Sequence, residues 1–385
     1  AEDGIRDVAV TGVQTCALPI YREAHRKEGS MMSTPILESQ VRPTRPWIKT
    51  PVQRIPGLLM SIIAVTISIG IVGISPLKGK LGFTLVFVPV FITLQYLLAR
   101  VRATKKAAQD IVVASVVWAA GFLVFLPVMS ILFTTIKRGL PGLNLKFLSQ
   151  TMSIAAFTDP IGTGGILHAI TGTLFLILIS IVISVPLGIL TALYLTEIKG
   201  PGSSFIQFIV QAMSGVPSVI AGLFVYSTII LTTPLRQSSF LGGLALAILM
   251  TPTVTRTAQE VLALIPNDLR EAGLALGATQ WKTVSMVVVP AAKSGLLTAV
   301  ILGVARIAGE TAPLIFTLGG ADALNLNPLN GYNSALPLYV WKGFLIGLPE
   351  AIQRAWSAIF VLLLIVLTLF LVARSIGPKR ARKKL

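Results

Sequence analysis

Arg306 and Glu310 stand four residues apart in the run VARIAGETAPLIF, with apolar sequence on either side. A charged side chain near the centre of a bilayer costs roughly 2.5–3.5 kcal/mol on insertion scales, so such residues are usually kept for a role. On a continuous helix their spacing leaves about 40° of azimuth and about 6 Å of height between them, within reach of an ion pair. The pair reads either as a clamp between helices or as part of an anion pathway. In the second reading the planar donor fork of Arg306 attracts an oxyanion, which it matches better than a lysine would. Glu310 then keeps the anion from being held too tightly to leave.

A second constellation is polar. Glu271 to Pro290, EAGLALGATQWKTVSMVVVP, is a helix-prone hairpin between two apolar spans. A membrane chain that keeps a helical knob on its aqueous side offers that knob to a partner. Glu271-Ala272, then Gly277, then Val287-x-Val289-Pro290 nearly reproduces the spacing EAA-x3-G-x9-I-x-L-P, and the segment resembles the coupling loop of ABC importer permeases. Gly273 replaces the second alanine, at a helix cost of about 1 kcal/mol, and Val287 and Val289 replace Ile and Leu at nearly equal bulk. The resemblance implies that Glu271 and Ala272 open a short helix and that Gly277 lets the chain turn. It also implies that the unit closing at Pro290 docks in a cleft of a cytoplasmic ATPase. Glu260, Asp268, Arg270 and Lys282 surround this region and read either as ATPase contacts or as ordinary solvated charges.

The words around Arg306 narrow the resemblance. Ala305-Arg306 followed by Gly309-Glu310-Thr311-Ala312-Pro313-Leu314 is similar to the signature of the PstA permeases of phosphate ABC importers, in the binding-protein-dependent transport permease family. The sister PstC permeases have Gly-Glu-Thr followed by Met-Ala-Val, which this chain lacks. Gly215-Val216-Pro217-Ser218 with Gly222-Leu223-Phe224, Val254-x-Arg256-Thr257 ahead of Pro266-Asn267, and Ala335-Leu336-Pro337-Leu338 match in the same order. The resemblance implies a substrate pathway containing Arg306, Glu310, Arg256 and Thr311. Arg256 reads equally as an interfacial arginine snorkelling to water. The implied assembly is a heterodimer with a PstC-like permease, two PstB-like ATPases that hold the ATP-Mg, and a PstS-like phosphate-binding protein. This chain itself would bind inorganic phosphate, no cofactor and no metal. A permease for another oxyanion, molybdate or sulfate, is the nearest alternative, and a passive anion channel a more distant one.

These residues need apolar elements to position them. With 54% hydrophobic and 12% charged residues and a mean hydropathy of +0.82, the chain has too little polar surface for a soluble globule. It reads as an all-α polytopic membrane protein with about eight transmembrane helices. These form a type I ABC importer permease core of five to six helices and two extra N-terminal ones. The spans are expected at Gly57–Ile74, Leu81–Leu98, Ile111–Thr134, Gly164–Leu195, Phe205–Thr232, Leu241–Val254, Ser294–Leu318 and Ala355–Ala373, each long enough to cross, the sixth being short. Gly215 and Pro217 predict a kink in the fifth, where proline removes a backbone hydrogen bond, or a broken helix lining the pathway.

The net charge of +17 would point a soluble protein toward nucleic acid. Here the basic residues cluster before the first span, after the second and after the eighth, so the positive-inside rule predicts both termini in the cytoplasm of a bacterial or archaeal plasma membrane. Residues 31–56 read as a flexible cytoplasmic tail, 57–110 as the extra hairpin, and 111–163 as a span with an external loop. Residues 164–373 read as the permease domain with its coupling loop at 258–293, and 374–385 as a basic cytoplasmic tail. Residues 1–30 are set apart as a non-native leader. Back-translated, Ala1–Asp7 and Val10–Ile20 resemble the constant blocks of a sequencing-library adapter, which places the expected native start at Met31 or Met32. Beyond residue 30 there is no cysteine and a single histidine, His168. That leaves no thiol or His/Cys metal chemistry, and His168, opening a span, is expected to be an interfacial anchor. No G-x4-G-K-[ST] cradle is present, so ATP hydrolysis must come from elsewhere.

Overall fold

The computed structural model describes residues 51–75, 79–102 and 105–376. The adapter-like leader, most of the N-terminal tail and the last nine residues of the basic tail lie outside the described residues. The helices are α1 (Pro51–Ile74), α2 (Lys80–Arg102), α3 (Lys105–Gly139), α4 (Leu145–Ser149), α5 (Leu167–Leu193), α6 (Ser203–Ser214) and α7 (Ser218–Val225). They continue as α8 (Ser239–Ala263), α9 (Asn267–Ala275), α10 (Gln280–Thr283), α11 (Val289–Ile307), α12 (Ala312–Thr317), α13 (Leu336–Ile346) and α14 (Pro349–Ile376). Among the described residues the only β pairing is an isolated bridge between Gly319 and Asn333.

The chain divides into two compact units at Val116. In the first, α1 packs against α2; Ala64 and Ser68 are buried, and the rings of Phe83, Phe87 and Phe91 stack along one face of α2. In the second, α5, α8 and α11 form the core. Small and hydroxylic residues bring α5 and α8 together: Ser180 donates to Gly243 O at 2.9 Å and Ser184 to Ala247 O at 3.0 Å. Such contacts suit helices in lipid, where apolar burial alone does not drive association. Outward-facing large apolar side chains, among them Trp118, Phe122, Phe133, Leu178 and Phe224, would be a liability in water and are what a lipid-facing surface requires.

Among the described residues, six helices are long and apolar enough to cross a membrane, and a bent pair would make a seventh. The expected first span, Gly57–Ile74, lies within α1, a helix of 24 residues. The sixth span is longer than expected, running from Ser239 to Ala263. Its threonines lower the hydropathy on which the shorter boundary rested, but Thr251 and Thr255 satisfy their hydroxyls on carbonyls four residues back.

The seventh span also differs. Helix starts at Gln280 and ends at Ile307, eleven residues short of the expected Leu318. Continuation past Gly309 is blocked by Pro313, which would lack the amide needed for the Gly309 carbonyl and push its ring against it. The fifth span is fully broken: α6 and α7 meet at 104° across Gly215–Pro217, with Pro217 extended at φ −59°, ψ 139°.

Candidate functional site: a coupling hairpin and a charged helix end

The polar hairpin is built as α9, a turn, and α10. Gly277 makes the turn at φ +79°, a left-handed conformation that side chains other than glycine's resist. Thr279 then caps α10 by accepting from Lys282 N. Gly273 fits its place, since a Cβ there would lie 2.7 Å from Thr283 Cγ2. The missing methyl is what lets α9 lie against α10. Glu271, Ala272, Leu276 and Trp281 face outward, with Leu276 90% exposed. Pro290 lies inside the helix that runs from Gln280 to Ile307, directly after a π-helical turn at Val284–Val288.

Beneath the hairpin lies an ion pair absent from the sequence reading. Arg270 donates from Nη2 to Glu197 Oε1 at 2.7 Å and from Nε to Glu197 Oε2 at 2.8 Å, a bidentate fork. The carboxylate pushes the Arg270 guanidinium above its ordinary value. Gln280 Nε2 donates to the Glu197 carbonyl at 2.6 Å. A cavity of about 90 Å³ adjoins this cluster, lined also by Leu274, Thr283 and Val288. An acidic residue at the end of a long apolar run, where basic residues dominate the loops, is the signal that could have singled out Glu197. Of the other charges near the loop, Glu260, Asp268 and Lys282 are exposed.

At the far end of α11, Arg306 occupies the last turn and is exposed, while Glu310 lies past the helix end and is half-buried. The two are not on one helix, and they form no ion pair within 4.0 Å. Glu310 N instead donates to Ile307 O, closing the turn, and the residue borders a small cavity with Thr173, Leu246 and Pro337. Thr311 is the half-buried residue before α12. Two signature words meet here: a Cβ on Gly222 would collide with the Pro313 backbone, so α12 rests directly on α7, just past the break at Gly215 and Pro217.

Arg256 is exposed and lies within α8, not at its end. Gly295 faces Val261 and Gly303 faces Val254 and Met250, so α8 and α11 run antiparallel. At 1.5 Å per residue this puts Arg256 and Arg306 roughly 10 Å apart along the bundle, Arg256 nearer the hairpin.

At the Leu167 end of α5, His168 is fully buried, with neither ring nitrogen hydrogen-bonded, and its ring meets Tyr339 edge-on at 5.8 Å. It is a packed core residue rather than an interfacial anchor. Arg354, just before the expected start of the last span, is also fully buried. Its Nη2 donates to the carbonyls of Asp159, Pro160 and Thr163 at 3.1, 2.8 and 2.6 Å, which fastens the 143–166 connection to α14.

The family model described as binding-protein-dependent transport system inner membrane component matches residues 184–382, from the middle of α5 past the end of α14. "Phosphate transport system permease protein PstA 1" of Mycobacterium tuberculosis (strain ATCC 25618 / H37Rv) is 39% identical over 222 residues, covering 57% of this chain and 72% of the relative. The chain belongs to this family, among its PstA permeases. Another PstA permease, "Phosphate transport system permease protein PstA" of Haemophilus influenzae, is 38% identical over 247 residues, 63% of this chain and 85% of the relative. A chain of the inward-facing MetNI methionine ABC transporter is matched with a TM-score of 0.43 at 20% identity, over 55% of this chain and 92% of that one. The family match begins at Ser184, so α1 to α4 and the first half of α5 lie outside it. The break at Gly215–Pro217, the hairpin, and the Arg306–Leu314 segment all lie within it.

Proposed function

We propose that this chain is one permease half of an ATP-driven phosphate importer, driven by a cytoplasmic ATPase through the Glu271–Pro290 hairpin. The observation that carries the reading is the continuity of helix from Gln280 to Ile307. Its first residue belongs to the exposed hairpin and its last turn carries Arg306, about 40 Å away at 1.5 Å per residue. A push on the hairpin therefore reaches the charged end without crossing a loop. The PstA relatives, named as phosphate transport permeases, support phosphate as the cargo.

Arg306 and Arg256 supply two guanidinium stations at different depths, each able to take a phosphate oxygen through paired donors. Half-buried Glu310 beside Arg306 limits how tightly the first station binds, and Thr311 offers a hydroxyl there. The break at Gly215–Pro217 leaves the amides of Ser218 and Val219, the first of α7, without helical partners and able to meet an anion, while Ile220 N is held by Pro217 O. Two such halves are needed for two ATPases, so the partner is a PstC-like permease, with PstB-like ATPases at the hairpin and a PstS-like binding protein at the opposite face. The hairpin and both termini are then cytoplasmic, in a bacterial or archaeal plasma membrane.

The test is radiolabelled phosphate uptake by proteoliposomes holding the four-component assembly, with ATP enclosed on the ATPase side. The reading expects ATP-dependent phosphate accumulation that excess sulfate or molybdate does not displace. Displacement by those anions would reassign the cargo, and equal uptake without ATP would make the chain a passive channel.

A further inference from the structure

Glu197 is placed where it can hold both arms of the hairpin at once. Its carboxylate takes the fork of Arg270 on α9, and its backbone carbonyl takes the amide of Gln280, the first residue of α10. The Glu197 side chain is 4% exposed, so the pair is shielded from the solvent screening that makes surface ion pairs weak. Arg270 is itself braced by the carbonyls of Leu262 and Ile265 at the end of α8. Glu197 and Arg270 thus join four elements, the carboxylate holding α9, the Glu197 backbone carbonyl holding α10 and Arg270 reaching the end of α8.

Two further observations mark this as a joint. Glu197 lies in a π-helical turn, Tyr194–Ile198, and a second π-helical turn, Val284–Val288, begins the path from α10 into α11. Such turns are local departures from α geometry that concentrate at functional positions. The cavity of about 90 Å³ beside the ion pair, lined also by Leu274 and Thr283, has room for about three waters.

We propose that Glu197 is a positioning residue for coupling: it makes α5 move with the hairpin, so that a displacement of α9 drives α5 together with α11. Without it, the hairpin would still dock and α5 would stay packed on α8 and α11, but α9 would lose its direct tie to the end of α5. This rests on the ATPase-coupled reading above. The fixed element of the joint is the side-chain pair, and its exchangeability separates positioning from bulk stability.

The test uses the reconstituted four-component assembly with Glu197→Gln, Arg270→Glu and the exchanged pair Glu197→Arg/Arg270→Glu, reading phosphate transported per ATP hydrolysed. Glu197→Gln is expected to retain ATPase co-purification and basal ATP hydrolysis within twofold of wild type. Its phosphate-to-ATP ratio is expected to fall at least fivefold, and the exchanged pair to recover most of what Arg270→Glu loses. An unchanged ratio in Glu197→Gln overturns the proposal, as does an exchanged pair no better than Arg270→Glu alone. A wild-type assembly whose ATP hydrolysis does not respond to phosphate-loaded binding protein overturns the coupled reading and this proposal with it. A normal wild-type response with an unaffected Glu197→Gln overturns the positioning role alone.

Discussion

The two ends of α5 are held in opposite ways. At the Leu167 end, Arg354 directs Nη2 at three backbone carbonyls of one connection. Thr173 accepts the Leu336 amide, and Lys342 donates to Gly320 O, all around a packed cluster of Phe147, Ile166, Leu336 and Tyr339. At the Ile198 end, Ala192 and Leu193 pack with Leu262, Val284 and Val288, while the polar contact to the exposed hairpin centres on the Glu197–Arg270 pair, with two π-helical turns and a cavity beside it. Backbone-directed bonds in a packed interior allow one arrangement, whereas a side-chain fork beside empty space allows several. The difference teaches which end serves as a fixed frame and which can be moved.

Substitutions can break or sharpen that contrast. The largest effect is expected from Gly172→Val, whose side chain would be driven into the Ser334 carbonyl at a cost of about 3 kcal/mol or more; it should abolish recovery of monodisperse protein in detergent. Arg354→Met removes a charged donor from three carbonyls and should cost about 2–3 kcal/mol, seen as a lowered thermal midpoint and faster proteolysis within residues 143–166. Gly273→Ala, although it restores the family's Glu-Ala-Ala, should cost about 1–2 kcal/mol through its clash with Thr283, and Thr283→Ala should relieve most of that. Leu276→Asp, on an exposed side chain, should move the midpoint by less than about 0.5 kcal/mol while weakening ATPase co-purification. A Gly273→Ala penalty as large as that of Arg354→Met would erase the contrast between the two ends.

Much of this was legible in the sequence, and the misses have physical causes. Hydropathy located the long apolar helices, and the resemblance of Glu271–Pro290 to a coupling loop implied the turn that the structure places at Gly277. The break at Gly215–Pro217 was marked by its proline, but not its 104° angle, nor the approach of α12 to α7 at Gly222 and Pro313, which are tertiary. The end of α11 was misplaced because GETAPL reads as apolar, while backbone geometry at Pro313 stops the helix before it. That one error put Arg306 and Glu310 on a shared helix. Glu197 and Arg354 were missed for a different reason: their partners lie 73 residues away and 191–195 residues away, and no local pattern carries that information.

The central claim is that the hairpin and Arg306 are two ends of one driven helix with phosphate at the second. Arg306→Gln tests it most directly, because it keeps the helix and removes only the charge. In proteoliposomes with the complete assembly, the account predicts normal ATPase co-purification with ATP-driven phosphate uptake lowered at least tenfold. Uptake at the wild-type rate from Arg306→Gln would contradict it.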